Sequence, residues 1–222
     1  MDPSAVGLVS DLRSRLFSDI LREILRFSFL PSHSSILTLF IPMLLPYSRA
    51  RTLLRPGDLL LFRRRGLIAL AGRGIHSHAA VADFWDDLPF CLEVREFFGG
   101  RAVTLDSQVR RCPGRIDVFR PLPTPGFRPE IAAKAMRRYC GCDYGWRNLF
   151  RTAVPHIPFL RLWYRPDVDD LSTNRRPPFC SEAVAASYRA AGLDPVPRLA
   201  DRYTEPADLA RSAAFEYHFT LA

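Results

Sequence analysis

The sequence predicts an α+β protein, with a central antiparallel sheet packed by helices and an N-terminal helical extension. Three observations predict it. Five short apolar runs between residues 58 and 119 are bounded by Gly, Pro and Asp turns. Their connections are brief, which argues against a βαβ series. Helical patterns stand apart from them, at 8–26, 130–139 and 180–191. The boundary falls at 54/55, with an amphipathic and apolar helical extension over 1–54 and the main domain over 55–222.

The extension opens on Leu8, Leu12, Leu16, Ile20 and Ile24, which recur every fourth residue with charges on the remaining sides. Ser28 to Ser35 breaks that helix, and Ile36 to Leu45 is a short apolar block interrupted by Pro42. No Asp, Glu, Lys or Arg occurs between Arg26 and Arg49. The polar centre and prolines of this stretch argue against a regular transmembrane helix. A packed helical cap is expected; membrane-surface or partner contact through residues 8–45 is the other use of such a face.

In the main domain, Arg55-Pro-Gly-Asp58 is a turn leading into a buried strand, Leu59 to Phe62. Gly66 through Gly74 reads as a short helix or glycine-rich loop. His78 to Ala82 and Phe90 to Val94 read as neighbouring strands joined by the turn Asp86-Asp-Leu-Pro89, and Arg101 to Leu105 and Arg115 to Phe119 add two more. Glu130 to Tyr139 has helical composition, and Pro129 can open it. Residues 140–178 are irregular and aromatic-rich. Cys180 to Ala191 is helical with Gly192 as terminator, and a short helix near 206–213 precedes a last strand, Phe215 to Leu221.

Composition narrows the partners. Apolar residues make up 48% of the 222, enough to bury a core. Thirty-one basic against 23 acidic residues give a net charge of +8, and Lys134 is the single lysine. The excess is spread evenly, without the basic tail or stripe that nucleic-acid binding would call for, so specific nucleic-acid binding is not expected. Five cysteines, an odd number, do not suggest a disulfide-stapled secreted module. The N-terminal residues lack signal-peptide character, so a reducing, cytoplasmic location is the expectation; membrane-peripheral and virion-associated locations are the other settings considered.

A cysteine nucleophile needs an accessible thiolate, a nearby imidazole and commonly a third group to orient that imidazole. Cys180 follows Arg175-Arg-Pro-Pro-Phe179 at the start of a helix, where amides and positive charge favour a thiolate. His78 begins an apolar strand. Glu93 lies inside another, where an unpaired carboxylate would be costly. Adjacent strands could set Glu93 on one ring nitrogen of His78 and leave the other for Cys180.

These residues carry a family resemblance. Pro56 to Phe62, Ser77-His-Ala-Ala-Val81, Leu92-Glu93 and Phe179-Cys-Ser-Glu-Ala-Val184 resemble the circularly permuted papain-like hydrolases of the NlpC/P60 superfamily, in particular the YiiX-like or YebB-like branch. The resemblance covers roughly residues 55 to 192, with the histidine strand ahead of the cysteine helix. It implies Cys180 as nucleophile, His78 as general base and acid, and Glu93 as the orienting residue. It also implies a site tyrosine after the middle helix, for which Tyr144 is better placed than Tyr139. The expected reaction is cleavage of an amide bond, as in a cell-wall peptide, without a cofactor or metal. Lipid-directed thiol hydrolysis or acyl transfer is the second expectation, and a structural or binding protein retaining the fold is the third.

Other residues are weighed beside these. In an extended segment His76 would share a face with His78, as second base, substrate contact or loop residue. Cys91 reads as a packed core side chain. Cys140-Gly-Cys142 lacks a second ligand pair for zinc, and Gly66–Gly74 lacks the lysine and spacing of a phosphate loop. Tyr144, Trp146, Phe150, Phe159, Trp163 and Tyr164 either line a ligand groove or pack an irregular lid. Arg175 and Arg176 precede the nucleophile, where they would bias its ionisation or attract an acidic substrate. The candidate substrate contacts are Tyr144, His76, Trp146 and Arg176.

Overall fold

The turn at Pro56-Gly57-Asp58 starts the sheet in the computed structural model of the protein, which describes residues 43–63, 74–145, 177–197 and 199–222. Gly57 takes φ +84° and donates its N–H to the Ala82 carbonyl at 2.9 Å. Asp58 accepts the Arg55 N–H at 2.8 Å and pairs with Arg120, whose Nε and Nη2 each reach a carboxylate oxygen at 2.9 Å. The turn is thereby tied to two strands before the first of them begins.

Seven strands follow from the apolar runs and their flanks. They are β1 (Leu44–Leu45), β2 (Leu59–Phe62), β3 (His78–Trp85), β4 (Leu88–Arg95), β5 (Gly99–Thr104), β6 (Ile116–Pro121) and β7 (Phe215–Leu221). They form one sheet in the order β1-β7-β6-β2-β3-β4-β5. The described helices are α1 (Tyr47–Ala50), α2 (Leu105–Arg111), α3 (Pro129–Arg137), α4 (Cys180–Ala190) and α5 (Pro206–Arg211), with a 3₁₀ turn at Asp201–Tyr203. The class is α+β. All described residues belong to one compact unit.

Both faces of the sheet are covered, which explains why β2 is four apolar residues rather than an alternating run. Leu59, Leu61, Ala79, Val81, Leu92 and Val94 face α3 and α4, where Ala132, Met136, Val184 and Tyr188 close the core. The alternate residues Leu60, Phe62, Ala80, Ala82 and Cys91 face the other way, against Leu105 and Val109 of α2 and Ala50 of α1. Tyr188 is fully buried and donates its hydroxyl to the Gly57 carbonyl at 2.8 Å, fastening α4 to the opening turn.

Three expectations are corrected. The sheet is mixed, because β1 runs parallel to β7 whereas every other pair is antiparallel. Leu44–Leu45, expected within a helical cap, is a strand: the edge of β7 offers backbone groups that Met43 and Leu45 satisfy through Thr220 and Ala222. Pro46, which cannot continue that ladder, ends the strand and opens α1. Leu105 starts a helix instead of ending a strand, because its side chain is needed in the core beneath α2. The predicted helix at 8–26, the Gly66–Gly74 segment apart from Gly74, and residues 146–176 lie outside the described residues. Among those described, no helix is long and apolar enough to cross a membrane.

Gly57 offers a direct test. A Cβ there would lie 2.5 Å from the Pro129 carbonyl oxygen, whereas Gly126, at a similar φ of +81°, has nothing within 4 Å. Gly57→Ala is expected to lose about 1–3 kcal/mol more than Gly126→Ala, read from urea unfolding. Equal losses would show that backbone conformation alone, and not the approach of Pro129, governs the turn.

Candidate active site

Local sequence places Cys180 at a helix start. Pro177 and Pro178 hold the approach extended, Phe179 is the N-cap with φ −95° and ψ 177°, and Cys180 is the first helical residue. Glu182 reaches back so that Oε2 accepts the Phe179 N–H at 3.3 Å, and the Ser181 hydroxyl donates to the Thr204 carbonyl at 2.7 Å. Gly145 donates its N–H to the Pro178 carbonyl at 2.9 Å, and a Cβ on it would lie 2.2 Å from the Pro177 oxygen. Close approach at this glycine brings the Tyr144 turn beside the cysteine. Cys180 itself is only 1% exposed.

His78 is the first residue of β3, opposite Phe62 of β2, whose ring centroid is 5.2 Å from the imidazole. Glu93 pairs with Ala80 across the β3–β4 ladder, which sets its side chain diagonally from His78 on one face. His78 Nε2 donates to Glu93 Oε2 at 2.7 Å, and Cys180 is close enough to the same imidazole to raise its pKa. With Nε2 committed, Nδ1 is the ring nitrogen left for Cys180. His78 thus joins a residue from the α3–α4 side of the sheet to one that contacts α2 on the other, and only a position at the end of a strand allows that.

The electrostatics reinforce the geometry. Burial works against charge on His78, but hydrogen bonds to Cys180 and Glu93 outweigh it and raise its pKa from 6.5 to about 9. Burial likewise opposes ionisation of Glu93, yet the hydrogen bonds and charges of His78 and Arg101 lower its pKa to about 2. Between those limits the pair is imidazolium and carboxylate. Tyr144 is pushed well above the usual phenol range, first by burial and then by Cys180, Glu96 and Glu182, so it stays neutral.

Two residues that sequence reading did not single out complete the site. Arg101 donates Nε at 2.9 Å and Nη2 at 2.6 Å to Glu93 Oε1, and Gln108 donates Nε2 to the same oxygen at 3.2 Å. Arg95 Nη1 lies 3.8 Å from it. The signal for Arg101 was present: it faces Glu93 directly across the β4–β5 hairpin, a cross-strand charge pair. Gln108 comes from α2, the helix that the sequence did not reveal.

The remaining candidates separate. His76 does not join His78. Its Nε2 pairs at 2.8 Å with Asp117 on β6, whereas the partner of His78 lies on β4. Asp117 is further held by the Thr220 hydroxyl at 2.5 Å and Arg63 at 3.1 Å. Cys91 packs in the core on the face away from Cys180, and the Cys140 and Cys142 thiols are both pushed up, mainly by burial. All five cysteines are free thiols. Among the described residues, no three His, Cys, Asp or Glu side chains converge in a way that could hold a metal ion. Trp146, Arg175 and Arg176 lie outside the described residues.

The two shifted groups set a pH window for stability. Glu93 contributes fully above its ordinary pKa of 4.5 and loses that contribution as pH falls through about 2. His78 contributes fully below 6.5 and loses its share as pH rises through about 9. The melting-temperature gap between wild type and the H78Q/E93Q double variant should therefore be widest from pH 4.5 to 6.5 and shrink toward pH 9 and above. A gap unchanged from pH 5 to 10 would mean that folding leaves the His78 pKa unshifted.

Comparison with known proteins bears on the fold. No family model and no curated protein matches the sequence. Among solved structures the chain is similar to metalloprotein YiiX from Escherichia coli O157:H7, a DUF1105 protein, with a TM-score of 0.52 and 17% sequence identity. The match covers 75% of this chain and 97% of that one. The described α+β architecture, with its seven-stranded mixed sheet, is therefore a YiiX-like fold.

Proposed function

We infer that the chain is a cysteine-dependent hydrolase that cleaves an amide bond, with Cys180 as nucleophile, His78 as proton carrier and Glu93 as its orienting carboxylate. The observation that carries this reading is the imidazole of His78, bonded to Glu93 Oε2 at 2.7 Å and close enough to Cys180 at the start of α4 for the two to influence each other's charge. A nucleophile, a base and an orienting group in this order are what thiol-acyl chemistry needs. The chain order His78, Glu93, Cys180 supports kinship with the circularly permuted NlpC/P60 hydrolases, and through them a cell-wall peptide as the first substrate class.

In the reaction, the thiol proton already resides on His78 Nδ1 as part of a thiolate–imidazolium pair, and the thiolate sulfur attacks the carbonyl carbon. A backbone N–H at the start of α4 stabilises the oxyanion. Collapse breaks the C–N bond while His78 returns its proton to the leaving amine. Water, deprotonated by His78, then attacks the thioester, releasing the acid and restoring the thiol. Glu93 keeps Nε2–H engaged throughout, which fixes the ring so that Nδ1 faces sulfur. The metal named with YiiX does not fit these residues, because His78 Nε2 is committed to Glu93 and, among the described residues, no three His, Cys, Asp or Glu side chains converge to hold a metal ion.

A second reading, lipid-directed thiol hydrolysis or acyl transfer, is favoured by one specific feature. Phe97, Phe98 and Ile75, which are 86%, 63% and 62% exposed, stand at the end of the sheet where β4 finishes and β3 begins, beside His78. Exposed apolar side chains around a site suit an acyl chain or a lipid surface.

Labelling with a small thiol-reactive electrophile tests the common mechanism. Cys180 is expected to label ahead of the other four cysteines, and His78→Ala to slow that labelling on the order of 10²–10⁴-fold. Uniform labelling of all five would remove the basis for the reading. Turnover of cell-wall peptides, acyl amides and lipid esters then separates the two substrate classes, with Cys180→Ser expected to abolish whichever activity is found.

A further inference from the structure

The structure assigns Arg101 and Gln108 as positioning residues that clamp one oxygen of Glu93 so that the other is presented to His78 alone. The assignment rests on the reading of Cys180, His78 and Glu93 as the reacting set. Three N–H groups converge on Oε1: Arg101 Nε at 2.9 Å, Arg101 Nη2 at 2.6 Å and Gln108 Nε2 at 3.2 Å. None of them goes to Oε2, which receives His78 Nε2 at 2.7 Å. A carboxylate held at one oxygen from two elements cannot rotate about its terminal bond, so the direction of its second oxygen is set before His78 arrives.

Gln108 shows that this arrangement comes at a cost. Its side chain is fully buried and its Oε1 has no hydrogen-bond partner among the described residues. Turning the amide over would aim that oxygen at the Glu93 carboxylate, so the donor to Glu93 is kept at the expense of an unsatisfied acceptor. Arg101 has a further contact: its guanidinium carbon lies 4.4 Å from the centroid of the Phe98 ring, and its side chain is only 20% exposed. The ring contact and the bonds to the carboxylate together restrict the orientation of the cation.

Charge ties Arg101 to Glu93 as well. The reactive form of the site carries a thiolate, an imidazolium and the Glu93 carboxylate, which alone sum to one negative charge. Arg101, bonded directly to Glu93, offsets the charge of that carboxylate. Without it, burying the row favours keeping the proton on sulfur. The groups facing this row are His78 from β3, Arg95 from β4, Arg101 from β5, Gln108 from α2, and Tyr144, with Glu96 and Glu182 near that phenol.

The test is the pH–rate profile of Cys180 alkylation by iodoacetamide in the full chain, followed by mass spectrometry, for wild type, R101Q, R101K, Gln108→Met, E93Q, the E93Q/R101Q double variant and H78A. Removing the clamp makes Glu93 easier to protonate, so R101Q should slow alkylation about tenfold at pH 7 and move the acidic limb to higher pH. R101K restores the charge but not the fork, and should recover the limb more than the rate. Gln108→Met should give a smaller loss of the same kind. Because Arg101 acts through Glu93, adding R101Q to E93Q should change the rate by less than about twofold.

A wild-type profile for R101Q, or full additivity with E93Q, overturns the assignment. Should R101Q fail to fold, R101K and Gln108→Met carry the same test, and wild-type profiles in both overturn it. H78A keeps the two readings apart. If it leaves alkylation unchanged, the reacting set itself is wrong; if H78A is slow but R101Q is not, only the positioning role falls.

Discussion

A buried carboxylate is the constraint on which the site depends. Glu93 is 1% exposed in the second strand of a hairpin, so its charge has to be compensated by groups the fold supplies. That requirement selects the neighbours. β5 places Arg101 opposite it, β3 places His78 on its diagonal, and α2 brings Gln108 down onto the same oxygen. Each partner comes from a different element. The charge is therefore tolerable only when β3, β4, β5 and α2 are all in place, and the site and this half of the sheet form together.

The histidine solves a geometric problem that the sheet creates. Its two partners lie toward opposite faces: Cys180 opens the helix that packs on one, and Glu93 shares Gln108 with the layer on the other. A histidine in mid-strand would be confined to a single face. At the first position of β3 the ring stands at the end of the sheet and reaches both. The approach to β3 is itself anchored, since His76 pairs with buried Asp117 and Ser77 donates its N–H to the Phe62 carbonyl at 3.0 Å. These contacts set where the strand begins.

What was legible in the sequence follows from what each element needs locally. β2 announces itself as an unbroken apolar run, and β3, β4, β6 and β7 as largely apolar or alternating runs, each near turn residues. α4 is marked by a run of small residues that begins after two prolines and ends at Gly192. β1 was hidden, since two leucines carry no period and become a strand only because β7 has an open edge. α2 was hidden for a related reason: Arg101 to Leu105 reads as strand to its last residue, and packing decides that Leu105 turns away. Cys180, His78 and Glu93 could be picked out as odd residues for their surroundings and by their order. Arg101 carried a signal only through its position opposite Glu93 in the hairpin, since an arginine in an arginine-rich chain is not unusual, and Gln108 carried none because it sits on the element that was missed.

The junction behind the hairpin tip has a mechanical meaning. Gly100 donates its N–H to the Cys142 carbonyl at 2.8 Å, and Gly141 returns one to the Gly100 carbonyl at 2.7 Å. A Cβ on Gly99 or Gly100 would fall 2.1 Å from Cys142 O or 1.7 Å from Tyr139 O, so the two backbones touch without an intervening side chain. Two reciprocal hydrogen bonds at contact distance form a hinge pin with no free play. Arg101 follows immediately on one side and Tyr144 on the other. The wall of the site and the guanidinium behind its carboxylate therefore keep a fixed spacing, and the Gly145 contact with Pro177 and Pro178 carries the same bracket on to the approach to Cys180.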